Sequence, residues 1–350
     1  MTISRIIVSD LLRIKSELKT IHYFSYGENL SREILPEGPA EINITFRLRE
    51  KRFFKRILGT DFGKPTHKFS DSILVKQSPK DGNLSLFFYK RLPPLGDLYL
   101  YINENPSELS LTASKFYYNL FKFRIENVLP VGVHLRDWAY VKLLEHNYLS
   151  VHSSSVAPNE NEGCLIIAPP NVGKSSVVLQ AIRDELFILS EDISVVDGDG
   201  LIHSVPLTST FFAEHSKLKN LGLLSCYFPT RISNKMNEEI QERLIPKAKL
   251  KYVLLLEPSN KNEIHVLQDS KDRAIMAQKV LATILNEFNY LSNSTVLAKI
   301  YSSEPGSLDV VNAERALVWN YLINGPKLLT VKSKSPLGFY SLIRKAIEEW

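Results

Sequence analysis

Cysteine is scarce in this chain and long apolar runs are lacking, and both features limit the class of protein it can be. Its 350 residues include two cysteines, Cys164 and Cys226, too few for a disulfide framework or a zinc cluster. No apolar run is long enough to span a bilayer, and Asp10 and Arg13 come too early for a signal peptide. We therefore expect a cytoplasmic protein without membrane association.

Charge of one sign is also in short supply. The 43 Lys and Arg residues exceed the 38 Asp and Glu residues by five, far less than in a dedicated nucleic-acid binder. The hydrophobic content of 44% and charged content of 23% are those of an ordinary globular protein. Nucleic-acid binding is therefore not expected, while a homo-oligomer is compatible with the composition.

The most informative stretch is residues 163–176, GCLIIAPPNVGKSS. An apolar strand leads into a loop that opens a helix, and the loop fits the phosphate-binding pattern G-x-x-x-x-G-K-S/T except that Ala168 replaces the first glycine. Gly173 permits close approach of a phosphate, and the helix N-terminus adds partial positive charge. The stretch predicts a nucleotide site; a chance match on a strand-to-helix turn is the alternative.

In such a site Lys174 contacts the β- and γ-phosphates and the Ser175 hydroxyl binds Mg²⁺. Ala168 must then have a negative φ, which the two prolines after it favour. We expect the nucleotide to lie against nine consecutive residues: Ala168, Pro169, Pro170, Asn171, Val172, Gly173, Lys174, Ser175 and Ser176.

Two acids follow the next predicted strand, residues 186–189. After Lys174 there is room for one helix and one return strand before Glu191 and Asp192. We expect this strand to neighbour the strand of the loop, so that one carboxylate holds Mg²⁺ and the other accepts a proton from an attacking hydroxyl. Adjacent acids that merely form a turn are the alternative.

A GTPase is a rival interpretation, because ribosome-assembly GTPases spell this loop G-x-P-N-V-G-K-S. Residues 197–200, DGDG, match their D-x-x-G motif but follow Lys174 too closely to leave room for a switch segment. Residues 234–237, NKMN, end in Asn where the base-reading N-K-x-D motif has Asp. We expect residues 197–200 to form a hairpin turn.

The remaining pattern predicts a β-rich unit over residues 1–130 and a nucleotide-binding core over residues 131–350. Four basic residues after the acidic pair are candidate phosphate or acceptor contacts, although surface solvation explains them equally well. They are Arg231, Arg243, Lys247 and Lys249. The predicted helices are 9–20, 107–121, 136–146, 176–184, 272–289 and 338–350. The predicted strands are 42–46, 72–76, 84–89, 98–102, 148–156, 193–196, 201–205, 251–256 and 326–331.

Residues 47–56 combine six basic residues with Phe53 and Phe54. Such a stretch could contact RNA or an acidic partner, but most are solvated strand edges or loops. We favour the solvated surface.

The elements in this order resemble the HPr kinase family and its phosphoenolpyruvate carboxykinase-like relatives. The likeness covers about residues 135–350: a buried helix, a strand with one histidine, the loop, one helix, and an apolar strand ending in two acids. It implies an α/β P-loop kinase core, with Lys174 and Ser175 on phosphates and Mg²⁺. It further implies that Glu191 is the general base, that Asp192 is a metal ligand and that His152 lies near the transferred phosphate.

Two departures from the family are Ala168 and Glu191, where the family has glycine and aspartate. Glutamate shifts the proton-accepting oxygen by about 1 Å, enough to slow transfer if uncompensated. The family's second signature, which helps its reverse phosphorolysis, is not located in this sequence, so that activity is not carried over to the chain.

We therefore expect an ATP- and Mg²⁺-dependent kinase that transfers the γ-phosphoryl group to a hydroxyl. The acceptor is a serine of a protein or peptide, or a small metabolite, and the N-terminal unit is expected to select it. The first alternative is a nucleotide-binding module that has lost transfer activity and acts as an interaction protein. A GTPase is the second.

Overall fold

In the described part of the chain, two eight-stranded mixed sheets with helices on their faces make up an α/β fold. The computed structural model describes residues 2–27, 40–62, 67–78, 83–120, 128–169, 172–205, 240, 242–302 and 307–348. Strands before residue 115 form the first sheet, and strands after residue 148 form the second.

The first sheet consists of β1 (Ile3–Val8), β2 (Leu12–Ser16), β3 (Ile42–Arg49), β4 (His67–Ser70), β5 (Ile73–Gln77), β6 (Leu84–Leu92), β7 (Gly96–Glu104) and β8 (Glu108–Ser114). They are hydrogen-bonded in the order β1-β2-β3-β8-β7-β6-β5-β4. Two helices belong to this unit: α1 (Lys51–Thr60) and α2 (Lys115–Leu120). The strands predicted over 42–46, 72–76, 84–89 and 98–102 are confirmed as β3, β5, β6 and β7.

Two helix predictions in this unit are wrong. Residues 9–20 contain β2. In this strand Leu12 and Ile14 are buried, whereas Arg13 and Lys15 are not, and this alternation has the two-residue period of a strand. Residues 107–121 contain β8 followed by α2, because β8 pairs with β3 on one side and β7 on the other. Both stretches are too short for the spacing of their apolar residues to distinguish a helix from a strand. Pairing with neighbouring strands therefore determines their conformation.

The basic stretch 47–56 is exposed as predicted, but it is not only a strand edge or loop. Its second half begins α1, whose apolar side chains Phe54 and Ile57 are buried against the sheet. The basic side chains Arg52, Lys55 and Arg56 point to solvent.

The second sheet consists of β9 (Leu149–Ala157), β10 (Glu162–Ile167), β11 (Phe187–Ser190), β12 (Ile193–Val196), β13 (Leu201–His203), β14 (Lys247–Pro258), β15 (Glu263–Val266) and β16 (Lys327–Ser333). Its order is β10-β9-β12-β13-β14-β16-β15, with β11 on β9 and a further pairing of β10 with β14. Because β10, β14 and β16 are parallel, their carboxyl ends share one edge, called the carboxyl edge below.

The helices of this part are α3 (Val131–Glu145), α4 (Lys174–Arg183), α5 (Ser270–Glu287), α6 (Ser294–Ser302), α7 (Ser307–Leu317) and α8 (Pro336–Glu348). The predicted helices of this half are confirmed as α3, α4, α5 and α8, with ends shifted by a few residues. The α4 and α8 helices pack with Ile166 and Leu254 on one face of the sheet. The α5 helix packs with Ile167 and Leu255 on the other.

A buried ion cluster joins the first sheet to α3 and α6. The Glu104 carboxylate of β7 lies 2.6 Å from the Lys299 ammonium and 3.2 Å from that of Lys142, and all three side chains are at most 6% exposed. One hydrophobic core also runs from Ile7 in the first sheet to Leu328 in the second. The division of the chain at residue 130 stays a prediction.

Cys164 is fully buried on β10, where burial raises the pKa of its thiol, as expected of a core residue; Cys226 lies outside the described residues. None of the described helices combines the length and apolar character needed to cross a membrane.

Candidate functional site

The loop between β10 and α4 allows close approach to its backbone. Gly173 has a φ of +117°, and a Cβ built there would lie 2.9 Å from Pro336 Cγ, so both conformation and space require glycine. The α4 helix begins at the next residue, and its first N–H groups have no partner within the helix. Ala168 does not have a positive φ, as predicted. Pro170 and Asn171 lie outside the described residues.

Side chains from three parts of the chain meet beside this loop. The Lys174 ammonium lies 3.0 Å from His152 Nε2 and donates to the Ala168 carbonyl at 3.1 Å. The same His152 nitrogen lies 3.2 Å from Asp192 Oδ1. The Ser175 hydroxyl donates to Glu191 Oε1 at 2.5 Å. Five predicted side chains therefore form one group, called the site cluster below: His152, Lys174, Ser175, Glu191 and Asp192.

The other predicted loop residues differ in exposure. Pro169 and Ser176 are exposed, and Val172 packs partly against the core under α4. Within the described part of the chain, Ser176 is exposed on the outer side of the helix.

The acidic pair reaches the loop by a route that the sequence did not predict. The expectation that the acidic strand neighbours β10 is wrong, because β9 lies between β10 and β11 and pairs with both. The β9–β10 hairpin occupies that side of β10. The acids are instead tied to β9: Ser153 N–H donates to the Asp192 carbonyl at 3.0 Å, and the Ser154 hydroxyl donates to the Glu191 carbonyl.

Sequence reasoning missed the part these serines play. A signal was present, since three consecutive serines lie in a strand whose nine residues are all buried. Ser155 hydrogen-bonds Ser190 at 2.7 Å, and Ser190 hydrogen-bonds Ser194 at 2.6 Å. Small hydroxyl side chains satisfy one another there and let β9 lie against the strands that carry the acids.

The charges of the site cluster act on one another. Burial lowers the pKa of the Lys174 ammonium, and the negative charges of Asp192, Glu191 and Glu287 oppose that effect. Burial would raise the pKa of Asp192, but the hydrogen bond and charge of His152, with the charge of Lys174, outweigh it and lower that pKa. Asp192 is therefore ionised at neutral pH.

His152 is the least satisfied member of the cluster. Its Nε2 either accepts from Lys174 or donates to Asp192, because one ring nitrogen cannot do both. Its Nδ1 is buried without a hydrogen-bond partner among the described residues. A buried polar atom left without a partner commonly marks a functional site or an absent ligand.

The oxygen atoms of the cluster suit Mg²⁺, which prefers hydroxyl and carboxylate oxygens. Within the described residues no group of three or more His, Cys, Asp and Glu side chains is arranged to hold a metal by itself. Mg²⁺ in phosphoryl-transfer sites needs fewer protein ligands, because substrate phosphates and water supply the rest. The two carboxylates of Glu191 and Asp192 would repel a phosphate chain unless a cation lay between them.

The later basic residues that the structure describes pair outside the cluster. Lys247 pairs with Asp10 at 3.5 Å, and Lys249 donates to the Asp199 carbonyl. In register, Lys249 lies opposite the first residue of β10, about 17 Å along the strand from the loop. Arg243 pairs with Glu185, and Arg231 lies outside the described residues.

The hairpin turn predicted over 197–200 is confirmed between β12 and β13. The Asp197 carboxylate accepts the N–H groups of Asp199 and Leu201 at 2.9 Å each and lies 2.8 Å from His203 Nε2. These bonds explain the acid as a turn former. Residues 234–237 lie outside the described residues.

The chain is distantly similar to solved structures, one of which is a kinase/phosphatase. It is similar to the Hpr(Ser) kinase/phosphatase from Coxiella burnetii at 10% sequence identity, over 57% of this chain and 97% of that chain, with a TM-score of 0.28. No protein-family model and no curated protein matches the chain. A TM-score this low carries no argument about function, so the case rests on the side chains of the site cluster.

Proposed function

We propose that this chain is an ATP- and Mg²⁺-dependent kinase of the HPr kinase type that transfers the γ-phosphoryl group to a hydroxyl acceptor. The observation that carries the proposal is the site cluster itself. Lys174 and Ser175 begin a helix, and the two acids follow β11. His152 lies within hydrogen-bond distance of Lys174 and Asp192, and Ser175 hydrogen-bonds Glu191. Groups of these kinds suit phosphoryl transfer, because its catalysis depends on positioning and on charge stabilisation.

In this proposal the phosphates bind against the first N–H groups of α4 and the Lys174 ammonium. That ammonium is already held at the loop by the Ala168 carbonyl and His152, so phosphate oxygens would exchange for these acceptors with little movement. His152 Nδ1, which is buried and unpartnered among the described residues, gives the ring a free donor or acceptor beside the transferred group.

Ser175 and Asp192 would hold Mg²⁺, which when bound neutralises the phosphate charge. Glu191 would accept the proton of the attacking hydroxyl. The hydrogen bond between Ser175 and Glu191 also favours a second assignment, in which Glu191 is the metal ligand and Asp192, beside His152, accepts the proton. Replacing each acid separately distinguishes the two.

The acceptor is a serine of a protein or peptide, or a small metabolite, and the N-terminal unit is proposed to select it. The support for this role is the buried ion cluster of Glu104, Lys142 and Lys299, which ties the first sheet to helices of the second part. A separately folding core that kept acceptor selectivity would exclude it.

The test is to incubate the pure protein with γ-labelled ATP and a soluble cell extract and to identify the fraction that takes up label. Lys174→Ala should abolish labelling. A module without transfer activity would bind ATP but release no ADP in any fraction. A GTPase would consume GTP in preference to ATP.

A further inference from the structure

A cavity of about 420 Å³ lies between α5 and the second sheet, near the carboxyl edge. Its floor is formed by Leu255 of β14 and Thr330 of β16, and α5 contributes Met276 to its wall. Leu255 lies opposite Ile167 of β10, and Thr330 lies opposite Leu255, so the floor lies about 5–10 Å across the sheet from the loop strand. The volume is within the range of small-molecule sites.

A lysine without an ion pair lines this cavity. Lys332 lies in register between Glu257 of β14 and Glu263 of β15. Those carboxylates are bound elsewhere, Glu257 by Lys279 and Glu263 by His265 at 2.9 Å. Lys332 consequently makes no hydrogen bond or ion pair within 4 Å among the described residues, although it is half-buried.

Two further polar groups of the cavity lack partners in the described part of the chain. The carboxylate of Asp272, on the first turn of α5, is half-buried and makes no hydrogen bond or ion pair. Thr330 is 7% exposed, and its hydroxyl makes no hydrogen bond. A cation, an anion and a hydroxyl thus border one cavity beside the ion pair of Lys279 and Glu257, and Lys332 and Asp272 form no ion pair with each other.

We propose that this cavity binds a small zwitterion of the amino-acid type. Its carboxylate pairs with Lys332, its ammonium pairs with Asp272, and the Thr330 hydroxyl hydrogen-bonds the ligand. Its apolar side chain contacts Leu255 and Met276. The proposal is independent of the kinase function.

The charges of the cavity argue against other classes of ligand. A polyphosphate would find one lysine without an ion pair, Lys332, and would be repelled by the carboxylate of Asp272, since Lys279 is already paired with Glu257. A wholly apolar molecule would cover Lys332 and Asp272 and leave both charges desolvated without partners, which is unfavourable.

The experiment is a calorimetric titration of the full chain with L-leucine and with two analogues that each lack one charge. The first analogue, 4-methylpentanoate, has no ammonium, and the second, 3-methylbutylamine, has no carboxylate. We expect leucine to bind with a Kd in the range of about 0.1–10 mM, and each analogue roughly 10- to 100-fold more weakly.

Variants assign each charge to its residue. Lys332→Met should weaken leucine binding but not change that of 3-methylbutylamine, which has no carboxylate for it. Asp272→Asn should weaken leucine binding but leave 4-methylpentanoate unchanged. Thr330→Val, which keeps the shape of the side chain, should weaken leucine by about tenfold or less. Lys271→Met, an exposed lysine beside Asp272, is the matched control and should bind leucine normally.

The melting temperature of each variant is measured to establish that it is folded. Phenylalanine and methionine are titrated in the same way as leucine. The proposal is overturned if none of the three amino acids binds at about 10 mM, a limit that corresponds to a binding free energy near −3 kcal/mol. It is also overturned if leucine and its two analogues bind equally well. A third contradicting result is that Lys332→Met and Lys271→Met change leucine binding to the same extent.

Discussion

Replacement of Glu191 by Gln is the sharpest test of the proposed chemistry. The side chain is 5% exposed and accepts the Ser175 hydroxyl at 2.5 Å. Gln keeps the length and an accepting oxygen, so that hydrogen bond survives as a neutral one. Exchange of a charge-assisted bond for a neutral bond costs roughly 1 kcal/mol of folding stability, so the variant should remain folded.

The effect on transfer should be much larger than the effect on folding. An amide cannot accept the proton of the attacking hydroxyl, and loss of a general base typically slows a reaction by about 10²–10⁴-fold. That factor corresponds to roughly 3–5 kcal/mol in the activation free energy. Nucleotide binding should persist, because Lys174 and the N–H groups of α4 are untouched.

The assay is ADP release in a single turnover with the labelled acceptor fraction, beside a titration of ATP binding. Glu160→Gln, in the exposed turn between β9 and β10, is the control and should behave as the unmodified protein. Normal turnover by Glu191→Gln would refute Glu191 as the base. Slow turnover that extra Mg²⁺ restores would instead identify it as the metal ligand, and Asp192→Asn should then have the larger effect on rate.

Further outcomes follow from the same structure. Lys174→Met should abolish turnover yet raise the melting temperature, because burial disfavours the ammonium, whose pKa it lowers. Gly173→Ala should destabilise the protein and weaken ATP binding, since φ is positive and Pro336 leaves no space, whereas Gly59→Ala on α1 should be neutral or stabilising by up to about 1 kcal/mol in urea melts. Burial opposes ionisation of Glu104, but the two lysines of its ion cluster outweigh it and lower its pKa below the ordinary 4.5. Its contribution to stability is thus present above pH 4.5 and lost as pH falls through the folded-state pKa. Glu104→Gln should cost about 3–5 kcal/mol at neutral pH and flatten that acid dependence; equal acid melts for both proteins would contradict it.

Local chemistry in the sequence determined the elements around the loop. The pattern over 163–176 requires glycine before the helix, and Gly173 has the positive φ that only glycine adopts freely. The apolar runs before and after it were long enough to give strands and helices of the second part within a few residues of their observed ends. The DGDG turn was equally local, because one Asp side chain holds it.

The short segments of the N-terminal unit were not determined in this way. Residues 9–20 and 107–121 are short stretches in which the apolar positions fit helical and extended spacings equally well. Their conformation came from neighbours distant in sequence, as when β8 inserts between β3 and β7. Strand pairing is a non-local interaction, which a local pattern cannot specify.

Residue types told which side chains could carry chemistry, but only the tertiary structure decided which of them meet. The sequence placed Glu191 and Asp192 beside the loop by assuming adjacent strands, and the fold brings them there across β9 instead, through bonds from Ser153 and Ser154. The fold also places Lys249 at the far end of β10 from the loop. The physical reason is that strand order depends on which edges are free to pair once a hairpin has formed, and that information is spread over the whole chain.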